Sequence, residues 1–379
     1  MQHSILAINF GSTSTKLAWY LDEELQARET VQHDPERIMR FGSLLDQQPM
    51  RRAAIEDFLD RHGVDPHSLT AVVSRGGQTR PLPSGVYRIN GLMLDDVRSG
   101  RWGTHATNLG VVLAHALGAE WGCEPMVVDP PVSDEFGPLA RITGMPELSR
   151  QSSFHVLNQK AAALRHCREQ GLRYEACRFV GVHLGGGISV CAHADGRLVD
   201  ANNALDGDGP FSPARAGTLP SGSLVRLCFS DRFSEAEILE KINGRGGIMA
   251  HLGTTDIVEV ERRIANGDTR AELILDAMCY QVAKEVGAMS TVLEGRVDAI
   301  LFTGGIAHSE RVTGRIRERV RFIAPVFVYP GEDEMQSLSQ GALAALTGTR
   351  PCLELTAPAE AAPSEAASDE AAREFRLNQ

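Results

Sequence analysis

A duplicated, two-domain α/β fold is predicted for this chain by three observations. Two glycine-rich turns of one design stand 174 residues apart, each opening a strand pair: Ile5-Leu-Ala-Ile-Asn-Phe-Gly11-Ser-Thr-Ser-Thr-Lys16 and Phe179-Val-Gly-Val-His-Leu-Gly185-Gly-Gly-Ile-Ser189. A third Gly-Gly turn, Gly304-Gly305, closes the later apolar run Ile300-Leu-Phe-Thr303. The same strand series then follows each of the first two turns. Glycines at strand ends let backbone N–H groups approach phosphate oxygens with no Cβ in the way, and nearby hydroxyls and a lysine add donors. One Gly-Gly pair marks an ordinary turn. Three at strand ends, two of them inside an internal repeat, read as a nucleotide site, with an ATP cleft between the two halves.

The elements follow in order. Residues 4–9 and 15–20 flank the first turn as strands, and Asp22-Glu-Glu24 is the tip leading to a third, antiparallel strand. A helix over 51–62, a strand over 70–74, a helix over 106–118 and a strand over 125–129 complete the first half. The second half opens with a helix over 153–170 and repeats the strand series at 178–184, 188–193 and 197–202, with Ala194-Asp-Gly196 as the hairpin turn. A long helix over 269–294 puts Ile274, Met278, Val282, Val286, Met289 and Leu293 on one stripe, which is a core face. A strand over 298–303, a helix over 307–323, a strand over 326–329 and a helix over 334–347 end the ordered chain. The expected domains are 1–150 and a nucleotide-binding 151–347, divided where Gly144-Met-Pro146 precedes a new helix. The helix near 334–347 is expected to pack back on the first domain. The stretch 355–379, mostly Ala, Glu, Pro and Ser, is expected to be a disordered tail.

Composition narrows the class. A chain of 379 residues with 42% apolar and 23% charged residues suits a globular enzyme of two domains. No apolar run reaches the ~20 residues of a membrane helix, so no membrane partner is expected. Met1-Gln-His-Ser-Ile lacks the basic-then-apolar pattern of an export signal, which predicts a cytoplasmic protein. Seven cysteines with no pair at metal-ligand spacing read as reduced thiols. A net charge of -11 argues against a nucleic-acid partner, so an anionic substrate must meet locally placed arginines.

Longer strings point to a family. His183-Leu-Gly-Gly-Gly-Ile-Ser189, Asn203-Ala-Leu-Asp-Gly-Asp-Gly-Pro-Phe-Ser-Pro213, Arg215-Ala-Gly-Thr-Leu-Pro220 and Phe302-Thr-Gly-Gly-Ile306 occur in order. With them come Ser74-Arg-Gly-Gly77, His105-Ala-Thr-Asn-Leu-Gly110, Val127-Val-Asp-Pro-Pro131 and Gln151-Ser-Ser-Phe-His155. From about residue 4 to 347 the chain resembles the butyrate kinases, within the acetate and butyrate kinase family of the actin and sugar kinase superfamily. The resemblance implies a duplicated ribonuclease H-like fold. It also implies a phosphotransferase with a carboxyl group as acceptor, passing the γ-phosphoryl group of ATP to butyrate or a related short or branched-chain fatty acid. Its partners would be ATP/ADP and the carboxylate, with Mg²⁺, in a homodimer or higher homo-oligomer. An acetate or propionate kinase is the near alternative, since one methylene is worth only ~1–3 kcal/mol of discrimination. A nucleotide-binding regulator or chaperone-like ATPase of the same superfamily is the distant one.

A carboxylate attacking the γ-phosphorus in line needs no general base, so positive charge and position dominate. Arg215 is the first candidate for the phosphoryl charge and Arg75 the second, because a guanidinium matches carboxylate and phosphoryl geometry bidentately. Most single arginines make surface ion pairs, but Arg75 adjoins Gly76-Gly77 and Arg215 lies inside the 203–220 signature. Acetate kinases place an arginine before the strand leading to their Gly-Gly pair, whereas here Arg75 directly precedes the pair, as in butyrate kinases. The resemblance gives His155 a hydrogen bond to the transferring phosphoryl group, and Asn9 joins it as a catalytic candidate. Gly11, Ser12, Ser14 and Lys16, with Gly185, Gly186, Gly187, Gly304 and Gly305, are the nucleotide-binding candidates. His183, at the second turn, and His105, at the substrate end, each stand between a ligand contact and a structural role. Asp129, ending the apolar strand, and Glu334, starting the last helix, are the Mg²⁺ candidates, with Glu332 and Asp333 as weaker neighbours. A carboxylate at a helix start is also an ordinary complement to the helix dipole.

Overall fold

The structure, a computed structural model, describes residues 2–332 and 334–356. The chain divides into two compact units. Unit 1 holds the residues up to Val132, Pro138–Gln151 and the segment from Leu338 on; unit 2 holds Ser133–Gly137 and Ser152–Ser337.

Unit 1 starts with an antiparallel meander, β1 (Ser4–Phe10), β2 (Ser14–Leu21) and β3 (Glu24–Gln32), followed by α1 (Pro35–Met39) and α2 (Gln48–Arg61). Next come β4 (Ala71–Ser74), β5 (Val86–Arg88), α3 (Gly91–Ser99), α4 (Asn108–Trp121), β6 (Glu124–Val128) and α5 (Pro138–Arg141). Unit 2 opens with α6 (Val156–Gln170) and its own meander, β7 (Phe179–Leu184), β8 (Ile188–Ala194) and β9 (Arg197–Ala201). Four short helices follow: α7 (Ser221–Cys228), α8 (Glu235–Ile242), α9 (Gly247–Leu252) and α10 (Ile257–Ala265). Then come α11 (Thr269–Val292), β10 (Ala299–Gly304), α12 (Glu310–Val320) and β11 (Val326–Pro330). The chain continues through α13 (Glu334–Leu346) to β12 (Cys352–Glu354).

The duplication is visible in strand order. Unit 1 contains β6-β4-β1-β2-β3 and unit 2 β11-β10-β7-β8-β9. In each, the first strand of the meander also pairs in parallel with the neighbour on its other side. β1 and β7 therefore lie inside their sheets with both faces covered, and all their residues are buried, as their unbroken apolar runs require. The hairpin tips agree too: Asp22 and Asp195 both adopt left-handed φ, near 53° and 52°. Each second hairpin carries a register irregularity, at Trp19/Tyr20 and at Ala192/His193.

Each unit closes its own core. In unit 1, Leu6, Ile8, Val72 and Val127 of the sheet share a cluster with Leu109, Leu113 and Leu117 of α4 and with Ile55, Phe58 and Leu59 of α2. In unit 2 the expected stripe of α11, Ile274 to Leu293, is buried with Val180, Val182 and Phe302 of the sheet and Val312 and Ile316 of α12. All seven cysteines are free. Among the described residues no helix is long and apolar enough to cross a membrane.

Several boundaries depart from the sequence reading. The helix expected over 307–323 breaks into a 3-10 turn at Gly305–His308 and α12, because Ser309 caps α12 by accepting from the Val312 N–H. The helix expected from 153 starts at Val156, leaving His155 at its cap position. Helices α3 and α7–α10, of six to nine residues each, are absent from the sequence reading because they are too short to imprint a clear period. The disordered tail expected from 355 does not hold at its first residue. β12 pairs in parallel with β5, Leu355 is buried, and its carbonyl accepts from Asn90 Nδ2 at 2.8 Å. The rest of that tail, from residue 357, lies outside the described residues.

Candidate active site

In unit 2 the parallel strands β7, β10 and β11 run side by side, placing His183, Thr303 and Tyr329 abreast at their carboxyl ends. Ligands of open α/β sheets gather at that edge. Three glycine segments leave it together. Gly304 has φ near 91° and sits so close to the Leu184 carbonyl that any Cβ would collide with it. It exchanges two backbone hydrogen bonds with Gly331, at 3.2 and 2.9 Å, which joins the ends of β10 and β11. The triple glycine is closed by the Gly185 N–H donating to the Gly187 carbonyl at 3.1 Å. Ser212 Oγ and the Ala214 N–H both donate to the Gly186 carbonyl, at 2.7 and 3.3 Å.

Arg215 completes this arrangement. Its Nη1 donates to the Ala204 carbonyl at 2.8 Å and its Nε to Asn243 Oδ1 at 3.2 Å. The guanidinium lies against Gly187, where an added Cβ would overlap Nη1. Burial lowers the Arg215 pKa, with the Asp206 carboxylate opposing that shift. Nη2 has no hydrogen-bond acceptor among the described residues. A half-buried cation thus sits beside the second glycine turn with part of its fork uncommitted.

His155 and His183 form a stacked pair, ring centroids 3.7 Å apart and planes 9° from parallel. His183 is 1% exposed, with Nδ1 2.7 Å from Asn158 Oδ1 and Nε2 2.9 Å from Glu332 Oε1. With both nitrogens engaged inside unit 2, the geometry supports the structural alternative for this residue. His155 keeps Nδ1 on Ser189 Oγ at 3.0 Å.

Unit 1 has a matching edge at the ends of β1, β4 and β6, where Ile8, Ser74 and Val127 are in register. Asn9 lies near the end of β1, buried and opposite Lys16 on β2. Arg75-Gly76-Gly77 follows β4, with Gly76 at φ near 85°, the counterpart of Gly304. Asn108 at the start of α4 accepts from the Gln78 N–H at 2.8 Å and ties that turn to the helix. His105 and Arg75 come together. Desolvation first and the Arg75 charge second lower the His105 pKa, and its Nδ1 lies 3.0 Å from Thr107 Oγ1.

The first glycine turn rests on a residue the sequence reading missed. Arg51 of α2 is fully buried, and its Nη1 donates to the Ser14 carbonyl at 2.6 Å and to Thr15 Oγ1 at 3.0 Å. Its Nη2 donates to the Gly11 and Ser12 carbonyls at 3.0 and 2.9 Å, and Gln47 Oε1 takes the remaining donors. Burial draws its pKa down to about 10, which leaves it charged at neutral pH. An arginine in a polar helix segment reads locally as a solvated side chain, and only the fold reveals this one.

Of the metal candidates, Asp129 is 3% exposed with φ near 40°, and its Oδ1 accepts from Arg350 Nη2 at 3.2 Å. Glu334 begins α13 in unit 2, and Asp333 lies outside the described residues. Among the described residues no three His, Cys, Asp or Glu side chains converge to hold a metal by themselves. Single carboxylates fit Mg²⁺, which keeps most of its shell for phosphate and water. They do not fit an all-protein metal cage.

Comparison with known proteins places this geometry. The Acetokinase family profile matches residues 149–324. The chain is 46% identical over 352 residues to butyrate kinase 1 of Clostridium acetobutylicum, covering 93% of this chain and 99% of that protein. It is 45% identical over 348 residues to a probable butyrate kinase of Clostridium botulinum, covering 92% and 98%. Among solved structures, the acetate kinase of Porphyromonas gingivalis has a TM-score of 0.71 at 20% identity, covering 90% of this chain and 99% of that one. A propionate kinase of Francisella tularensis has a TM-score of 0.70 at 18% identity, covering 89% and 98%. At those identities the structures speak for the fold alone.

Proposed function

The chain belongs to the Acetokinase family, and on that premise we propose that it phosphorylates the carboxylate of butyrate, or a related short or branched-chain fatty acid, from ATP. The observation that carries the choice of acid is the 46% identity to butyrate kinase 1 across almost the whole of both chains. The reaction is reversible and gives an acyl phosphate and ADP. We place it in the cytoplasm, as a homodimer or higher homo-oligomer.

In the chemical step a carboxylate oxygen forms the new bond to the γ-phosphorus. The bond to the β–γ bridging oxygen breaks, and ADP leaves with that electron pair. No proton has to be removed from a carboxylate, so the protein acts by position and charge. In unit 2 we assign the Gly185–Gly187 and Gly304–Gly305 turns to the nucleotide, whose close approach to the backbone the missing Cβ atoms allow. Arg215, anchored through Nε and Nη1, presents its remaining N–H groups to the charge on the transferring phosphoryl group. His155 donates a hydrogen bond to the same group. In unit 1 we assign Gly11, Ser12, Ser14 and Lys16 to phosphate, Asn9 to the transferring group, and Arg75 with His105 to the acid. Mg²⁺ would be held through Asp129 and Glu334 and would neutralise phosphate charge.

The test is ATP- and Mg²⁺-dependent acyl phosphate formation, trapped as hydroxamate, across acetate, propionate, butyrate, isobutyrate, valerate and isovalerate. A maximum at four or five carbons is expected. A maximum at acetate or propionate would reassign the acid, and no product with any acid would leave nucleotide binding without transfer.

A further inference from the structure

Behind His155 lies a buried polar chain whose hydrogen-bond directions are fixed by what each atom is able to do. Ser189 on β8 is fully buried, and Gln159 on α6 is 1% exposed. Gln159 Nε2 approaches the Ser189 carbonyl at 3.0 Å and the Ser189 Oγ at 3.3 Å. A carbonyl only accepts, so the amide must turn its NH₂ toward Ser189. Ser189 Oγ then receives a hydrogen from Gln159 and needs an acceptor for its own. Among the described residues the remaining partner of that hydroxyl is His155 Nδ1, at 3.0 Å. Nδ1 of His155 is the acceptor in reach of that hydroxyl, and with Ser189 donating to it the ring hydrogen of the neutral imidazole is assigned to Nε2, on the far side of the ring from Ser189.

Two neighbours hold this geometry. The His183 ring, pinned by Asn158 and Glu332, stacks on His155 and sets its plane. Gly181 of β7 leaves the space Gln159 occupies, since a Cβ at that position would overlap Gln159 Oε1. The glycine inside an otherwise branched and aromatic strand thus has a packing reason.

We propose that Ser189, oriented by Gln159, is a positioning residue that fixes the tautomer of His155 so that Nε2–H is the donor to the transferring phosphoryl group. The donor role rests on the carboxylate kinase reading; the tautomer does not.

The test uses the full chain labelled with ¹⁵N-histidine. Long-range ¹H–¹⁵N correlations report the tautomer, and comparison with His155→Asn assigns the signal. The wild type is expected in the Nε2–H form, with Ser189→Ala shifting His155 to a mixture. In steady-state assays Ser189→Ala should lower kcat by about 10- to 100-fold, the usual cost of losing a partner that orients a histidine. The KM for ATP should stay within about threefold, because ground-state binding is not what is removed. In the His155→Asn background the same change should cost less than about twofold, since the two residues act as one unit. Gln159→Met, which removes the donor and leaves the hydroxyl, should mix the tautomers as well and serves if Ser189→Ala fails to fold. An Nδ1–H tautomer in the wild type overturns the proposal, as does an equal kcat loss in both backgrounds. If the wild type phosphorylates no acid, the NMR result still decides the tautomer.

Discussion

The two glycine turns of this chain begin as copies and are supported in opposite ways. In unit 1 the carbonyls of Gly11, Ser12 and Ser14 face inward onto Arg51, whose five N–H groups are all consumed by the protein. In unit 2 the carbonyl of Gly186 is held by Ser212 and Ala214, and the arginine, Arg215, lies against Gly187 with Nη2 uncommitted. Duplication preserved the strand order, the hairpin tips and the register irregularities. It did not preserve what holds the turn. A fully saturated, buried arginine is scaffold, whereas a half-buried one with spare donors is available to an anion. Residue type alone does not separate these two roles; burial and donor count do.

That contrast is broken most directly at the two arginines. Arg215→Ala is expected to lower kcat by roughly 10³-fold, by analogy with other arginines acting on a transferring phosphoryl group. ATP affinity, measured by calorimetry, should hold within about threefold, because the charge acts mainly on the transition state. Near-normal turnover would remove Arg215 from the chemistry. Arg51→Met is expected to act on stability instead. It takes the donor from several carbonyls of one turn and from the buried Thr15 hydroxyl, and roughly 3–5 kcal/mol should be lost in denaturant unfolding. Amide protection around residues 11–15 should fall with it. A stable Arg51→Met protein with only a catalytic defect would reverse the assignment of scaffold and ligand arginine.

The glycines sharpen the same point on a smaller scale. Gly187→Ala puts a Cβ where Arg215 Nη1 sits, and displacing that fork by about an ångström should cost on the order of 10²-fold in kcat. Gly11→Ala meets the Ser14 hydroxyl at 2.8 Å, the end of a short side chain that can rotate away. Its cost should stay near 1 kcal/mol, the scale of a strained rotamer. Equal kcat losses for the two alanines would mean that the turns are equivalent after all.

Sequence carried the repeated backbone a long way. Two strand–glycine–strand series and the stripe on α11 are local patterns written in adjacent residues, so the meanders, the duplicated order and the long core helix were legible. Short elements were not. Three-residue β5 and β12 and the helices α7–α10 have too few residues to impose a period, and tertiary contact decides them. The same limit governs the candidate site. Arg75 and Arg215 each stand beside a distinctive string, which makes them legible in sequence. Arg51 stands in an ordinary helix segment with no such string, and its five acceptors come from residues 11–15 and 47. In sequence His183 carries the same signal as a ligand histidine, and only the fold brings Asn158 and Glu332 to its two nitrogens.

By itself, then, the sequence determined which backbone turns are glycine, which strands repeat and which residue types are on hand for phosphate and carboxylate. Those follow from local sterics and periodicity. Only the tertiary structure decided which arginine supports a turn, which one keeps donors to spare, and on which nitrogen His155 carries its hydrogen. Each of these depends on partners distant in the chain, because a buried donor is defined by the acceptor that the fold brings to it.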